Sequence, residues 1–203
     1  PFAVMGRPVV PANSATSALG GAVEILWDVH EGIHRETLAD GNGNHLCDEL
    51  LLVSLPLLGP LPYGTINDGA FIGASLKRHG GILRYARDGR VGIQIPSTVE
   101  GYLTQRRRIY VGHARQTRAT GEPPTTLLSL AFRQPRLAWR VVRRCWFSNS
   151  HRDRWAVLVS LEALAVGLAL WDEIPPRRDQ VRWRQVRRAR GWRLGREPGS
   201  ART

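Results

Sequence analysis

Two histidines and a glutamate in the segment HEGIH, residues 30–34, have the types and spacing of a metal site. On a helix, residues four apart lie on one face, so His30 and His34 could bind zinc while Glu31 acts as a general base. Zinc hydrolases use this arrangement. Such a site also needs a third protein ligand, which the rest of the chain must supply.

The remaining sequence argues against a zinc hydrolase. In the extended form of the motif a glycine and a third histidine follow, but Thr37 and Asp40 occupy those positions. His45 or Glu49 could serve instead, but Gly32 within the motif weakens the helix that must hold the pair. A short motif also matches by chance in many chains. The sequence therefore predicts a solvated helix face and no metal ligands in this segment.

A second series of polar residues lies between residues 49 and 113. Asp68 stands at the start of a predicted helix, where the free amide groups favour an ionised carboxylate. Such a carboxylate can accept a proton from a hydroxyl group as a new bond forms. The run QRRRI contains arginines that can hold a diphosphate through paired hydrogen bonds. Read singly, Asp68 only caps a helix and the arginines form a solvated basic face.

The order of the segments ELLLV, LPYGTINDGAFIGASLKRHGG and LRYARDGRVGIQIPSTVEGYLTQRRRIYVGH resembles the second half of the catalytic domain of family 2 glycosyltransferases. In that family an acidic dipeptide opens a helix, and a P-[ST]-T turn leads to Q-x-x-R-W. The resemblance covers residues 1 to 115. It implies a GT-A (Rossmann-like) α/β fold and inverting transfer of a sugar from a nucleotide- or lipid-linked donor to an acceptor hydroxyl.

The resemblance also implies the site residues. Asp68 matches the catalytic base of the family. Binding of the substrate or its diphosphate is implied for five further residues: Asn67, Gln105, Arg107, Arg108 and His113. The chain departs from the family at two of the motif positions: Asn67 replaces the usual acid, and Ile109 replaces the tryptophan of Q-x-x-R-W. The second departure implies a non-processive enzyme.

No Asp-x-Asp occurs in the sequence, although the family uses this motif to bind Mg²⁺ or Mn²⁺ with the donor diphosphate. We therefore expect the chain to hold the acceptor side of the active site and the donor-binding half to precede it. The implied role is synthesis of a cell-envelope polysaccharide or glycolipid. Two cysteines far apart in the sequence fit a reducing, cytoplasmic compartment.

Positive charge is concentrated in the second half of the chain. Residues 1–103 carry a net charge of −3 and residues 104–203 a net charge of +15. Such a half should attract phosphates, and an anionic membrane at the inner face of the cell is the partner that we expect. An alternative function is a non-catalytic protein that binds a membrane or nucleic acid through arginines and tryptophans, although no nucleic-acid-binding motif occurs.

The pattern of apolar residues divides the chain into two parts. Residues 1–118 form the predicted α/β part, and residues 119–203 form a helical, basic tail. We expect a loop over 1–20, helices over 21–38, 67–80 and from 98, and a strand–turn–strand over 81–96. Further helices are predicted over 125–146 and 153–171. The apolar run 155–171 contains one charge, Glu162, which favours a core or interfacial helix over a membrane span.

Overall fold

The computed structural model describes residues 2–39, 41–54, 60–148 and 153–173. The last part of the predicted basic tail, residues 174–203 with Trp183 and Trp192, lies outside the described residues. The elements are β1 (Phe2–Val9), α1 (Ala18–Ala39), β2 (Leu51–Val53), α2 (Asp68–Arg78), β3 (Ile82–Gly92), α3 (Val99–Thr120), α4 (Leu127–Arg133), α5 (Pro135–Ser148) and α6 (Asp153–Glu173). The predicted α/β class is confirmed.

A three-stranded mixed sheet has the order β2-β1-β3. β1 pairs antiparallel with β2 and parallel with β3. The prediction of a loop over residues 1–20 is therefore wrong for residues 2–9, which form the central strand. Pro8 and Gly6 hide the alternation that buries Ala3 and Met5 in the core with Leu83 of β3.

Residues 81–92 do not form the predicted strand–turn–strand. They form one strand, β3, whose two halves both run parallel to β1. The pairs Met5–Tyr85 and Arg7–Arg90 enclose a register shift, so the residues between Tyr85 and Arg90 bulge out of the ladder. A bulge uses the same Asp-Gly sequence as a tight turn, but it leaves the chain direction unchanged.

The helices α1, α2 and α3 of the α/β part begin and end near their predicted residues, because capping residues and glycines close to each end mark these boundaries. Asn67 accepts a hydrogen bond from the backbone N–H of Ala70 and caps α2. Thr98 caps α3 in the same way through Gly101, and Gly121, with a φ of 75°, ends that helix. The predictions for α1, α2 and α3 are confirmed.

The predicted helix over 125–146 is two helices, α4 and α5. The break falls at Gln134 and Pro135, because proline lacks the amide hydrogen of a helical residue and restricts the residue before it. One core cluster unites both predicted parts of the chain: Val29 and Ile33 of α1 pack with Val141 of α5 and Leu158 of α6.

Helix α6 packs against α1 and α3 through one face, which buries Trp155, Leu161 and Ala165. The opposite face exposes Leu170 and Trp171. By length and hydropathy, Asp153–Asp172 is the one segment among the described residues that could cross a membrane, and a third of its most apolar window is buried.

Candidate functional site

A pocket of about 490 Å³ opens where the chain leaves the carboxyl end of β3. Ligands of open α/β sheets commonly bind at this end of parallel strands. Residues 91–96 form one wall, α1 contributes Trp27, and the loop 45–49 forms another wall. The remaining wall is the face of α3 that carries Tyr102, Gln105 and Ile109.

Four of the residues implied by the resemblance line this one pocket: Asn67, Gln105, Arg108 and His113. Asn67 precedes α2, whereas the other three lie on α3, about forty residues later in the chain. Gly112 lies so close to Asn67 that an added Cβ would stand 3.2 Å from the asparagine Cβ. This close approach of α3 to the start of α2 brings the four residues together.

Asp68 is exposed in the first turn of α2, next to Asn67. Its charge acts on both Asp48 and Arg108, so the three side chains form one electrostatic group. The Arg108 guanidinium also donates a hydrogen bond to the carbonyl of Ile66, at 3.3 Å. Arg108 is thereby held at the wall of the pocket, whereas Asp68 is not among the residues that line it.

Asp48 was not predicted as a site residue, and Glu49 was predicted only as a possible zinc ligand. Both carboxylates line the pocket. Burial, followed by the charges of Glu49 and Asp68, raises the pKa of Asp48 to about 7, while the Gly69 amide and Arg108 oppose this rise. Both side chains are also open to solvent, which offsets part of the elevation. The signal available in the sequence was an acidic pair just before the apolar residues Leu51–Val53, which form β2.

Arg107, which the resemblance places in the site, lies outside this pocket. Its guanidinium forms an ion pair with Asp172 of α6, and the carboxylate is buried. Arg106 lines the pocket, and its guanidinium also donates hydrogen bonds to both carboxylate oxygens of Glu162 on α6, at 2.8 and 2.6 Å. Two arginines of the run therefore fasten α6 to α3, and the interpretation of the run as a solvated basic face is wrong for Arg106.

Glu162 receives two further hydrogen bonds, from the hydroxyl groups of Tyr102 and Tyr110, each at 2.5 Å. Burial alone raises the pKa of a carboxyl group. At Glu162 the Arg106 charge and the hydrogen bonds outweigh burial, and the pKa is lowered. The single charge within the apolar run 155–171 is thus an ionised, fully bonded carboxylate between helices.

The HEGIH segment does not form a solvated face, so that prediction is wrong. His34 is 3 % exposed, and its ring packs near those of His30 and His45, with centroid separations of 6.3 and 5.7 Å. His113 of α3 packs against His45 at 5.2 Å. Burial lowers the pKa of His34 to about 3 and that of His45 to about 4, so both rings are neutral at physiological pH.

No family model, no curated protein and no solved structure matches this chain.

Proposed function

We propose that this chain is the acceptor side of a GT-A-fold glycosyltransferase of family 2. It transfers a sugar from a nucleotide- or lipid-linked donor to an acceptor hydroxyl, with inversion, in the synthesis of a cell-envelope polysaccharide or glycolipid. One observation carries the proposal: Asn67, Gln105, Arg108 and His113, which the resemblance selects from two distant segments, line a single pocket.

In the proposed reaction the acceptor oxygen attacks the anomeric carbon of the donor. The bond between that carbon and the phosphate oxygen breaks, and its electron pair leaves with the diphosphate. Asp68 takes the acceptor proton. Arg108, in the same electrostatic group, stabilises the negative charge that develops on the leaving diphosphate. Gln105 and His113 offer hydrogen bonds to the substrates from the same face of α3.

Ile109 lines the pocket where the polymerising members of the family have a tryptophan. An aliphatic side chain cannot stack on a sugar ring as an indole does. This difference supports transfer of single sugars in place of processive synthesis.

The motif through which the family binds its divalent ion, Asp-x-Asp, does not occur in the sequence. We therefore derive no step through such an ion.

The arginine series tests the proposal. Arg108→Ala is expected to lower kcat for sugar transfer by about 10- to 100-fold and to change the KM of the acceptor much less, because the charge acts as the sugar bond breaks. Arg108→Lys should restore activity only in part, since an ammonium group cannot form paired hydrogen bonds. The measurement is steady-state kinetics on the full-length protein.

The matched control is Arg115→Ala, on the same helix but outside the pocket lining. It should leave kcat near that of the unmodified protein. Equal activity of the Arg108→Ala and Arg115→Ala variants would remove Arg108 from the mechanism.

We also propose that the chain contacts an anionic membrane, at the inner face of the cell, through α5. The buried side of α5 carries Ala138, Val141 and Cys145. The exposed side combines aromatic residues with arginines: Arg136, Trp139, Arg140, Arg143, Arg144, Trp146 and Phe147. Trp139 is 66 % exposed. Tryptophan beside arginine on one exposed face is typical of helices that lie in the membrane interface.

Charge reversal tests the membrane contact. Arg143→Glu is expected to weaken binding to vesicles that contain phosphatidylglycerol by about tenfold or more, because each basic residue contributes about 1 kcal/mol near such a surface. Arg87→Glu makes the same charge change on exposed β3 and should weaken binding less. The measurement is vesicle co-sedimentation, with a single-stranded oligonucleotide at matched salt. Tighter binding to the oligonucleotide would favour the nucleic-acid alternative.

The zinc hydrolase alternative gains no support from Glu31. Its carboxylate forms ion pairs with Arg7 at 2.9 Å and Arg35 at 3.9 Å. A general base must instead reach a water molecule on the metal.

A further inference from the structure

A cluster of histidines adjoins the candidate pocket, and of its members only His113 takes part in the proposed reaction. His30 and His34 stand one turn apart on α1, and His45 lies in the loop that follows this helix. The rings of His30 and His45 are 6.4 Å apart, and those of the other two pairs are 6.3 and 5.7 Å apart. Three rings from two segments are therefore mutual neighbours.

These separations are close to those of a metal site. Since a histidine nitrogen binds zinc at about 2.1 Å, two rings on one tetrahedral ion have centroids about 5 Å apart. The three described separations exceed this value by about an ångström. A small inward movement of the rings would bring them to a common ion.

Several nitrogen atoms of the cluster lack the partners that buried polar atoms normally have. Nδ1 of His30 and Nδ1 of His34 are buried without a hydrogen-bond partner among the described residues. The ring of His45 places Nδ1 3.4 Å from the carbonyl oxygen of Thr125, where it can donate a hydrogen bond. This bond would leave Nε2 of His45 as a free acceptor, and metal-binding histidines commonly make such a bond with their other nitrogen.

We propose that His30, His34 and His45 bind one transition-metal ion of the zinc class. Imidazole nitrogens suit Zn²⁺, Co²⁺, Ni²⁺ and Cu²⁺. The ion would tie α1 to the loop 41–49, one wall of the pocket, independently of sugar transfer.

The rings must turn to form the site. Among the described residues no three side chains are already arranged to hold a metal ion. The torsion of an imidazole about its Cβ–Cγ bond has broad energy minima, so the bond itself permits such a turn. His30 and His45 line the pocket, which provides a path for the ion and space for this movement.

Two side chains next to the three histidines, those of Cys47 and His113, are not among the proposed ligands. Cys47 lies beside the cluster, with its Sγ 3.4 Å from Nε2 of His34, so it contacts the ring nitrogen that the proposed site does not need. His113 contacts the ring of His45 and lines the pocket, where the proposed reaction already uses it. The proposed ligand set therefore excludes Cys47 and His113.

The test is titration of the chelator-treated chain, carrying a purification tag without histidines, with Zn²⁺ alone and with Co²⁺ alone. We expect one equivalent of either ion to bind. Zinc at about 100-fold above its Kd should raise the Tm by about 5 °C or more. Bound Co²⁺ should give visible absorption bands without the near-ultraviolet band of a thiolate ligand.

Four glutamine variants separate the ligands from their surroundings. His34→Gln and His45→Gln should weaken Co²⁺ binding at least tenfold, whereas His113→Gln and the remote His79→Gln should retain it. Unchanged affinity in folded His45→Gln, loss of binding in His113→Gln, a thiolate band, or no binding to the unmodified chain would each overturn the proposal. If His34→Gln or His45→Gln fails to fold, imidazole ¹⁵N spectra of the unmodified chain decide: zinc must shift the signals of all three rings, and unshifted signals overturn the site.

Discussion

Replacement of Asp68 by asparagine is expected to lower kcat for sugar transfer by about 10²- to 10⁴-fold, the usual contribution of a general base. Asparagine is close to aspartate in size but cannot accept the acceptor proton. The KM of the donor should change little, because the base acts only as the new bond forms. The measurement is steady-state kinetics on the full-length protein.

Two further aspartate variants make this test specific. Asp88→Asn changes an exposed carboxylate in the bulge of β3, and it should be neutral. Asp48→Asn removes the carboxylate whose pKa is raised to about 7, so it should alter the pH dependence of kcat more than its maximum. Near-normal turnover of Asp68→Asn, together with inactive Asp48→Asn, would assign the base to Asp48 and contradict the mechanism.

Replacement of Arg106 by methionine is expected to lower the free energy of unfolding by about 3–5 kcal/mol, because it leaves a buried carboxylate without its counter-ion. Arg106 is 7 % exposed and binds both oxygens of Glu162. The two tyrosine hydroxyl groups that also bind Glu162 cannot replace the charge. The measurement is urea unfolding followed by circular dichroism.

The double variant Arg106→Met with Glu162→Met should be less destabilised than the single variant, since no unpaired buried charge remains. Arg140→Met is the surface control: Arg140 pairs with Glu36 at 3.3 Å, but its side chain is 67 % exposed. Its loss should cost less than about 1 kcal/mol. Equal costs for Arg106→Met and Arg140→Met would show that the buried network does not hold α6 in place.

The helices were predictable where a local signal marks their ends. Asn67 and Thr98 cap helices through bonds that span three residues, so the sequence window contains both partners. The central strand β1 was not predictable in this way. It depends on pairing with Leu51–Val53 and Ile82–Gly92, which lie far along the chain, and this pairing overrides the loop-like composition of its own residues.

The candidate site also depends on contacts between segments that lie far apart in the sequence, which limits its prediction. The resemblance selected Asn67 and Arg108, but no sequence window relates Asp48 or His45 to them. The ring of His34 packs near those of His45 and Tyr85, which lie outside the HEGIH segment. Gly32, which argued against a rigid helix, permits close packing of α1 on Val141 of α5, since an added Cβ would stand 2.9 Å from that side chain.

Binding of the leaving diphosphate in the pocket is tested most directly by an ¹H–¹⁵N NMR titration of the chain with inorganic pyrophosphate. We expect shift changes centred on Asn67, Gln105, Arg108 and His113, which Arg108→Ala abolishes and Arg115→Ala leaves intact. Shift changes confined to the arginines of α5, or unchanged by Arg108→Ala, would contradict this binding.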